Sequence, residues 1–299
     1  MIEVRGLTKR YGANLAVDNL TFAVRPGQVT AFLGPNGAGK STTMRILLGL
    51  ARADQGIAHI GGRRYSEIRQ PLTRVGALLE GFSPNRGLRA FDYLLWVAQS
   101  NRIPRRRVRE VLETVELASV SHRRVGEFSV GMAQRLGLAV ALLGDPPTLA
   151  LDEPSNGLDP EGIHWLRQFL RRLAAGGRTV FLSSHLMAEM AVTADHLIVI
   201  SNGRLLADTS TAEFIKQNAK TAVRVRTVDP ERFRRRLSAA GLAAVLAADG
   251  SIEVTGATTA EVSRLAIAHR HILDELGTQS ASLEEAFLSL TNPTGEAAR

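Results

Sequence analysis

A short apolar run, Val29-Thr30-Ala31-Phe32-Leu33, ends in Gly34-Pro35-Asn36-Gly37-Ala38-Gly39-Lys40-Ser41-Thr42, and apolar residues at helical spacing resume in Thr43-Met44-Arg45-Ile46-Leu47-Leu48-Gly49-Leu50. Few folds accept that order. The run suits a strand buried on both faces, as in a parallel sheet. Strand, glycine loop and helix together make a phosphate loop of the form G-x4-G-K-S. Its glycines let the backbone turn tightly, so that N–H groups point at phosphate oxygens, and the helix that follows adds the positive end of its dipole. Lys40 supplies a point charge and Ser41 a magnesium ligand. Gly34, Pro35, Asn36, Gly37, Ala38, Gly39, Lys40, Ser41 and Thr42 are thus the expected phosphate cradle.

The remaining chain alternates between the two periods. Ile2-Glu3-Val4 and Leu20 to Val24 read as strands, Phe91 to Leu117 as helix with a break at Pro104, and Val130 to Leu143 as a helix stopped by Gly144-Asp145-Pro146-Pro147. A buried strand is expected at Thr148 to Leu151, a helix from Asp159-Pro160 to Ala175, and strands at Thr179 to Ser183 and His196 to Ile200. This β/α order argues for a mainly parallel sheet. Past Lys220 the rhythm changes to β-α-β-β-α-β: Thr221 to Thr227, Pro230 to Ala240, Ala243 to Ala247, Ser251 to Thr255, Thr259 to Ala268 and His271 to Leu276. That order resembles a small ferredoxin-like domain. A last helix, Leu283 to Leu290, is opened by Ser282 with Glu285 as a capping box, and the tail after Asn292 is expected to fray. Two domains follow, residues 1–218 and 219–299.

Composition narrows the chemistry. With no cysteine among 299 residues, disulfide scaffolds, thiol nucleophiles and thiolate metal sites are excluded. The longest stretch free of charge, Pro26 to Gly39, has 14 residues, whereas a membrane helix needs about 20. Met-Ile-Glu-Val-Arg-Gly carries no apolar signal core, so the protein is expected in the cytoplasm. The net charge of +8 lies in one block: residues 52–109 hold 12 Arg against Asp54, Glu67, Glu80 and Asp92. Such a field suits anionic head groups, an acidic partner or nucleic acid.

A phosphate loop requires a metal-organising acid on a neighbouring strand, and Leu149-Ala150-Leu151-Asp152-Glu153 offers one. Asp152 can hold magnesium through water, and Glu153 is placed to polarise an attacking water. Further motifs share the order of one family. Phe128-Ser129-Val130-Gly131-Met132-Ala133-Gln134-Arg135, Asn156-Gly157-Leu158-Asp159, His185 after a strand, and Tyr11 with Val17 beside it resemble the signature loop, the loop after the catalytic acid, the switch histidine and the adenine-stacking aromatic of the ATP-binding cassette (ABC) transporter nucleotide-binding subunits. The resemblance covers residues 1 to about 215.

It implies a P-loop cassette fold of parallel core sheet, antiparallel β subdomain and helical subdomain, and a head-to-tail homodimer with two ATP molecules at the interface. Each ATP would lie between the phosphate loop of one copy and Ser129 and Gly131 of the other. Glu153 would be the general base, His185 would position phosphate and water, and Asp159 would couple the two sites. A glutamine is usual where Glu80 stands. Glu80 can also ligate magnesium, but its charge lies close to the γ-phosphate, so the magnesium dependence is expected to differ. Val130 replaces the first signature glycine and Met132 the usual glutamine, while the contacting Ser129 and Gly131 remain.

The resemblance further implies a separate permease chain at the cytoplasmic face of the membrane, reached through the basic block with Arg102, Arg105, Arg106, Arg107 and Arg109 at its densest part. Single-cassette chains with Glu at this position and a small appended domain are similar to drug and antibiotic exporter ATPases of the ABC-2 type. The alternative is a soluble regulatory or nucleic-acid-associated cassette ATPase. Translation factors of that kind carry two cassettes, and DNA-repair ones need a coiled coil for which Gly34 to Asp152 leaves no space, so no nucleic acid is expected. Another phosphate-loop enzyme, such as a nucleotide kinase, would lack the signature loop and His185. The C-terminal domain is expected to be structural or dimerising.

Overall fold

The computed structural model describes residues 1–218, 222–247, 249–279 and 283–291. The chain forms two compact units, Met1–Thr211 and the part from Ala212 onward.

In the first unit, β1 (Ile2–Tyr11) and β2 (Asn14–Val24) form an antiparallel hairpin before β3 (Val29–Leu33), whose five residues are all buried. The phosphate loop follows, then α1 (Lys40–Leu47) and β4 (Gln55–Ile60), which pairs with β1. After β5 (Val75–Leu78) come the helices α2 (Ala90–Ser100), α3 (Arg105–Thr114) and α4 (Val130–Leu142). Pro104 separates α2 from α3, as its fixed φ and missing N–H predict. Then β6 (Thr148–Asp152), α5 (Pro160–Ala175), β7 (Thr179–Ser184), α6 (Met187–Thr193), β8 (His196–Ser201) and β9 (Arg204–Ser210) complete the unit.

Two sheets result. The larger has the order β5-β6-β7-β3-β8-β9, parallel except for β9, so its strands' C-terminal ends gather on one side. The smaller is β2-β1-β4. Phe22 of β2, Phe32 of β3 and Phe181 of β7 join the two, with ring centroids 5.4–5.7 Å apart and none more than 4% exposed. Burying each phenylalanine stabilises the fold by about 1.5–3 kcal/mol, which fixes the β2 hairpin over the strand that feeds the phosphate loop.

Residue patterning alone does not predict β4 and β9, because their residues are mostly half-exposed or exposed and carry little apolar pattern.

In the second unit α7 (Thr211–Asn218) leads to β10 (Ala222–Thr227), α8 (Pro230–Ala239), β11 (Ala243–Leu246), β12 (Ile252–Thr255), α9 (Thr259–Ala268) and β13 (Leu273–Gln279). The antiparallel order β11-β12-β10-β13 is the ferredoxin-like arrangement expected from β-α-β-β-α-β. Val223, Val225, Ile252 and Val254 alternate onto one face, against Phe233 and Leu237 of α8 and Val262 and Ala266 of α9. The chain ends in α10 (Leu283–Thr291). Thr221, Ser282 with its capping role, and the tail after Asn292 lie outside the described residues.

Candidate active site

The loop after β3 is shaped by what lies behind it. Gly39, at φ +103, caps α1, and a Cβ there would come 2.4 Å from the Ala16 carbonyl oxygen of β2. Only glycine lets the loop lie that close. Lys40 Nζ donates to the carbonyls of Gly34 (2.6 Å) and Pro35 (3.2 Å), and Thr43 Oγ1 to that of Gly39 (2.9 Å). Burial pushes the Lys40 ammonium below the ordinary lysine pKa, against the opposing pull of Glu153, Asp152 and Glu80.

A cavity of about 510 Å3 opens in front of the loop, within the range of ligand pockets. Asn36, Gly37, Gly39, Lys40, Ser41 and Thr42 line it from one side. Facing them are Glu80 from beyond β5, Glu153 from the end of β6, His185 from the end of β7, and Tyr11 from the end of β1. Side chains far apart in sequence thus meet because parallel strands deliver their C-terminal ends to one edge.

Gly34, Pro35 and Ala38 do not line the cavity; Gly34 and Ala38 are buried, Ala38 at 2% exposed, and Pro35 is exposed. Val17 is fully buried beneath Gly39 rather than facing the cavity. Asp152 is 3% exposed, and its Oδ1 accepts from Ser183 Oγ at 2.5 Å. The same Ser183 hydroxyl accepts from the Glu153 N–H at 3.0 Å, so one side chain of β7 orients both acids of β6.

Glu153 is 7% exposed and sits at φ +51, a left-handed conformation that a non-glycine residue holds at a cost of about 1–2 kcal/mol. Its Oε2 lies 2.8 Å from His185 Nδ1. An ionised carboxylate only accepts, so Nδ1 carries the hydrogen and Nε2 is left for other work.

Ser129, Gly131 and Asp159 stand apart from this cavity. Ser129 caps α4, accepting from Met132 N at 3.2 Å, and Asp159 caps α5, accepting from Gly162 N at 2.9 Å. The two caps pack on each other: Val130 Cγ1 occupies the point 2.4 Å from where a Gly157 Cβ would be, and Leu158 approaches Gly131. Gln134 Nε2 donates to the Pro154 carbonyl at 3.0 Å and ties α4 to the residue after Glu153.

Two lining residues, Asn14 and Ala16, and the bridging Ser183 are not identified by sequence reasoning, while Asn156 enters it only as part of the loop after the catalytic acid. Only Ser183 carries a visible signal, a buried polar residue directly after the apolar Val180-Phe181-Leu182.

The site suits a nucleotide and its metal. Among the described residues no three His, Asp or Glu side chains converge to hold a metal alone. The oxygen donors present, the Ser41 hydroxyl and the Glu80 and Asp152 carboxylates, are of the kind that magnesium takes alongside waters and phosphates.

Residues 17–156 match the family model described as ABC transporter, and residues 221–284 match a domain of unknown function. The bacitracin transport ATP-binding protein of Bacillus licheniformis is 41% identical over 225 residues, covering 74% of this chain and 73% of that protein. The Nod factor export ATP-binding protein I of Burkholderia orbicola is 37% identical over 244 residues, 80% of each chain. Among solved structures, an ATP-binding subunit of an ABC transporter superposes with a TM-score of 0.65 at 29% identity, covering 73% of this chain and 92% of that one.

Proposed function

This chain belongs to the ABC transporter ATP-binding family and is an ATPase of it, and from that premise we propose that it drives export by a separate membrane permease, as a homodimer closing on two ATP molecules with magnesium. The observation that supports this most is the cavity in which the phosphate loop, Glu80, Glu153, His185 and Tyr11 meet.

In the proposed mechanism Tyr11 stacks on adenine, and the loop amides with Lys40 hold the phosphates. Glu153 takes the proton of the attacking water, held in place by Ser183 and His185. With Nδ1 engaged by Glu153, His185 has Nε2 left to position the γ-phosphate and water. Ser41, Asp152 and Glu80 are the residues that would hold magnesium, which when bound would neutralise charge on the phosphates. Ser129 and Gly131 lie outside their own chain's cavity, which supports their acting on ATP held by a second copy. Asp159 couples the two sites, the residues just before it, Gly157 and Leu158, packing against Val130 and Gly131 of the signature loop.

Names of relatives that transport bacitracin or export Nod factor support an exporter, of drug or antibiotic type. No helix of the described residues is long and apolar enough to cross a membrane, which supports a permease on another chain and a place at the cytoplasmic face.

The arginines of the basic block differ in availability. Arg107 binds Glu110, Asp145 and the carbonyls of Leu142 and Leu143, and the Arg105 guanidinium lies 5.3 Å over the Phe91 ring. Contact with anionic head groups or an acidic permease loop therefore falls to the exposed Arg102, Arg106 and Arg109. The second unit is assigned a structural or dimerising role.

Light scattering of the Glu153→Gln protein tests the reading: ATP should convert monomer to dimer while wild-type protein hydrolyses ATP. A protein that neither dimerises nor hydrolyses ATP would refute it.

A further inference from the structure

At the opposite edge of the core sheet lies a second hollow, of about 660 Å3 and larger than the ATP cavity. Arg63, Arg69 and Arg74, all exposed, line it. Among the described residues none of these guanidiniums has an ion pair or hydrogen bond, and no Asp or Glu lines the hollow. Ile60, Ile68 and Pro147 form an apolar wall. A smaller hollow of about 290 Å3 shares Arg69 and adds Arg102.

Three guanidiniums around one concave, carboxylate-free space, with the Met1 ammonium beside them on Thr179 Oγ1, repel one another until an anion joins them. Guanidinium forks match the oxygens of a phosphate, and the apolar wall suits the organic body that a phosphate ester carries. The floor is formed by Thr148 and Thr179, the first residues of β6 and β7, and Arg74 immediately precedes β5. These three strands lead to Glu80, to Asp152 and Glu153, and to His185. The hollow therefore abuts the far ends of the strands that carry the hydrolytic residues.

We propose that this hollow is a binding site for a phosphate ester, separate from the ATP site, with the phosphate held by Arg63, Arg69 and Arg74. The ester's source is a soluble phosphorylated small molecule or a phospholipid head group, and two arms of one experiment distinguish them. The full chain is first saturated with ADP, which fills the phosphate loop. Glycerol 3-phosphate is then titrated calorimetrically, and in parallel the protein is floated with vesicles of phosphatidylcholine and phosphatidic acid, using phosphatidylcholine alone as blank.

Wild-type protein should bind one of the two probes. At roughly fivefold per arginine, the Arg63→Gln/Arg69→Gln/Arg74→Gln variant should bind it roughly a hundredfold more weakly. Its melting temperature and ATPase rate should stay at wild-type values, because the three side chains are exposed and unpaired. Glycerol phosphate binding lost in the variant assigns a soluble ester; vesicle binding lost without glycerol phosphate binding assigns a lipid. Failure of wild-type protein to bind either probe overturns the site, as does binding that the triple variant leaves intact, the vesicle arm being run in an Arg102→Gln/Arg106→Gln/Arg109→Gln background so that those exposed arginines do not carry it. Arg69→Gln alone should bind roughly fivefold more weakly, and undiminished binding by it would also count against the site.

Discussion

Two glycines of the phosphate loop permit a test in which backbone conformation and close approach separate. Gly37 and Gly39 have φ of +81 and +103, so alanine at either site is strained by about 1–2 kcal/mol. At Gly37 nothing lies within 4 Å of the added Cβ, whereas at Gly39 the carbonyl oxygen of Ala16 is 2.4 Å away. That oxygen belongs to β2, which is fixed by the Phe22 packing, and it cannot rotate aside as a side chain would. Forced displacement in a packed region adds about 1–3 kcal/mol.

With about 2–4 °C of melting temperature per kcal/mol at this domain size, Gly37→Ala should lower the transition by about 2–8 °C. Gly39→Ala should lower it by a further 2–12 °C or so. Displacement also pushes the loop away from Ala16 in the cavity wall, so ADP affinity should fall further in Gly39→Ala. Scanning calorimetry with and without ADP, and titration with a fluorescent ADP, read both effects. If the two variants melt together and bind ADP alike, the contact with Ala16 does not shape the loop and the reasoning is wrong.

Other expectations follow from the same geometry. Glu153→Gln keeps volume but removes the proposed base, so hydrolysis should fall by about 10²–10⁴; a rate near wild type in a phosphate-release assay sinks that role. Glu80→Gln removes a charge from the cavity wall and should shift the magnesium concentration for half-maximal hydrolysis, whereas an unchanged magnesium curve would exclude Glu80 from metal binding. Hydrogen bonds from the Ser251 hydroxyl and N–H, then Arg226 and Arg224, hold the Asp249 carboxyl well below the usual carboxylate range. A depressed pKa stabilises the fold above the unfolded value, about 4, and this is lost as pH falls through the folded value. The second unit should thus weaken in acid, and Asp249→Asn should flatten that loss in an acid calorimetric series; an unaltered acid slope would deny the clamp.

Much of this architecture is legible in residue order. Val29–Leu33 and Thr148–Asp152 are wholly buried strands, and a strand covered on both faces writes itself as an unbroken apolar run. Proline and glycine mark the ends of α3 and α5. The half-exposed β4 and β9 lack such a run, since their partners supply hydrogen bonds rather than a hydrophobic face. Within the site, the motifs locate Lys40, Glu153 and His185. That Arg107 turns inward while Arg106 does not, and that Ser183 serves two acids at once, depends on contacts between elements that no local pattern encodes.

The phenylalanine trio separates two mechanical parts of the molecule. By packing the β2 hairpin onto the sheet behind the phosphate loop, it holds the strand end that carries Tyr11 and the phosphate loop as one preformed wall of the cavity. Ser129 and Gly131 hang on a different scaffold, the cap of α4, and lie off that wall. A substitution in the α4 cap, at Val130 or Met132, should therefore leave the strength of nucleotide capture within one copy untouched.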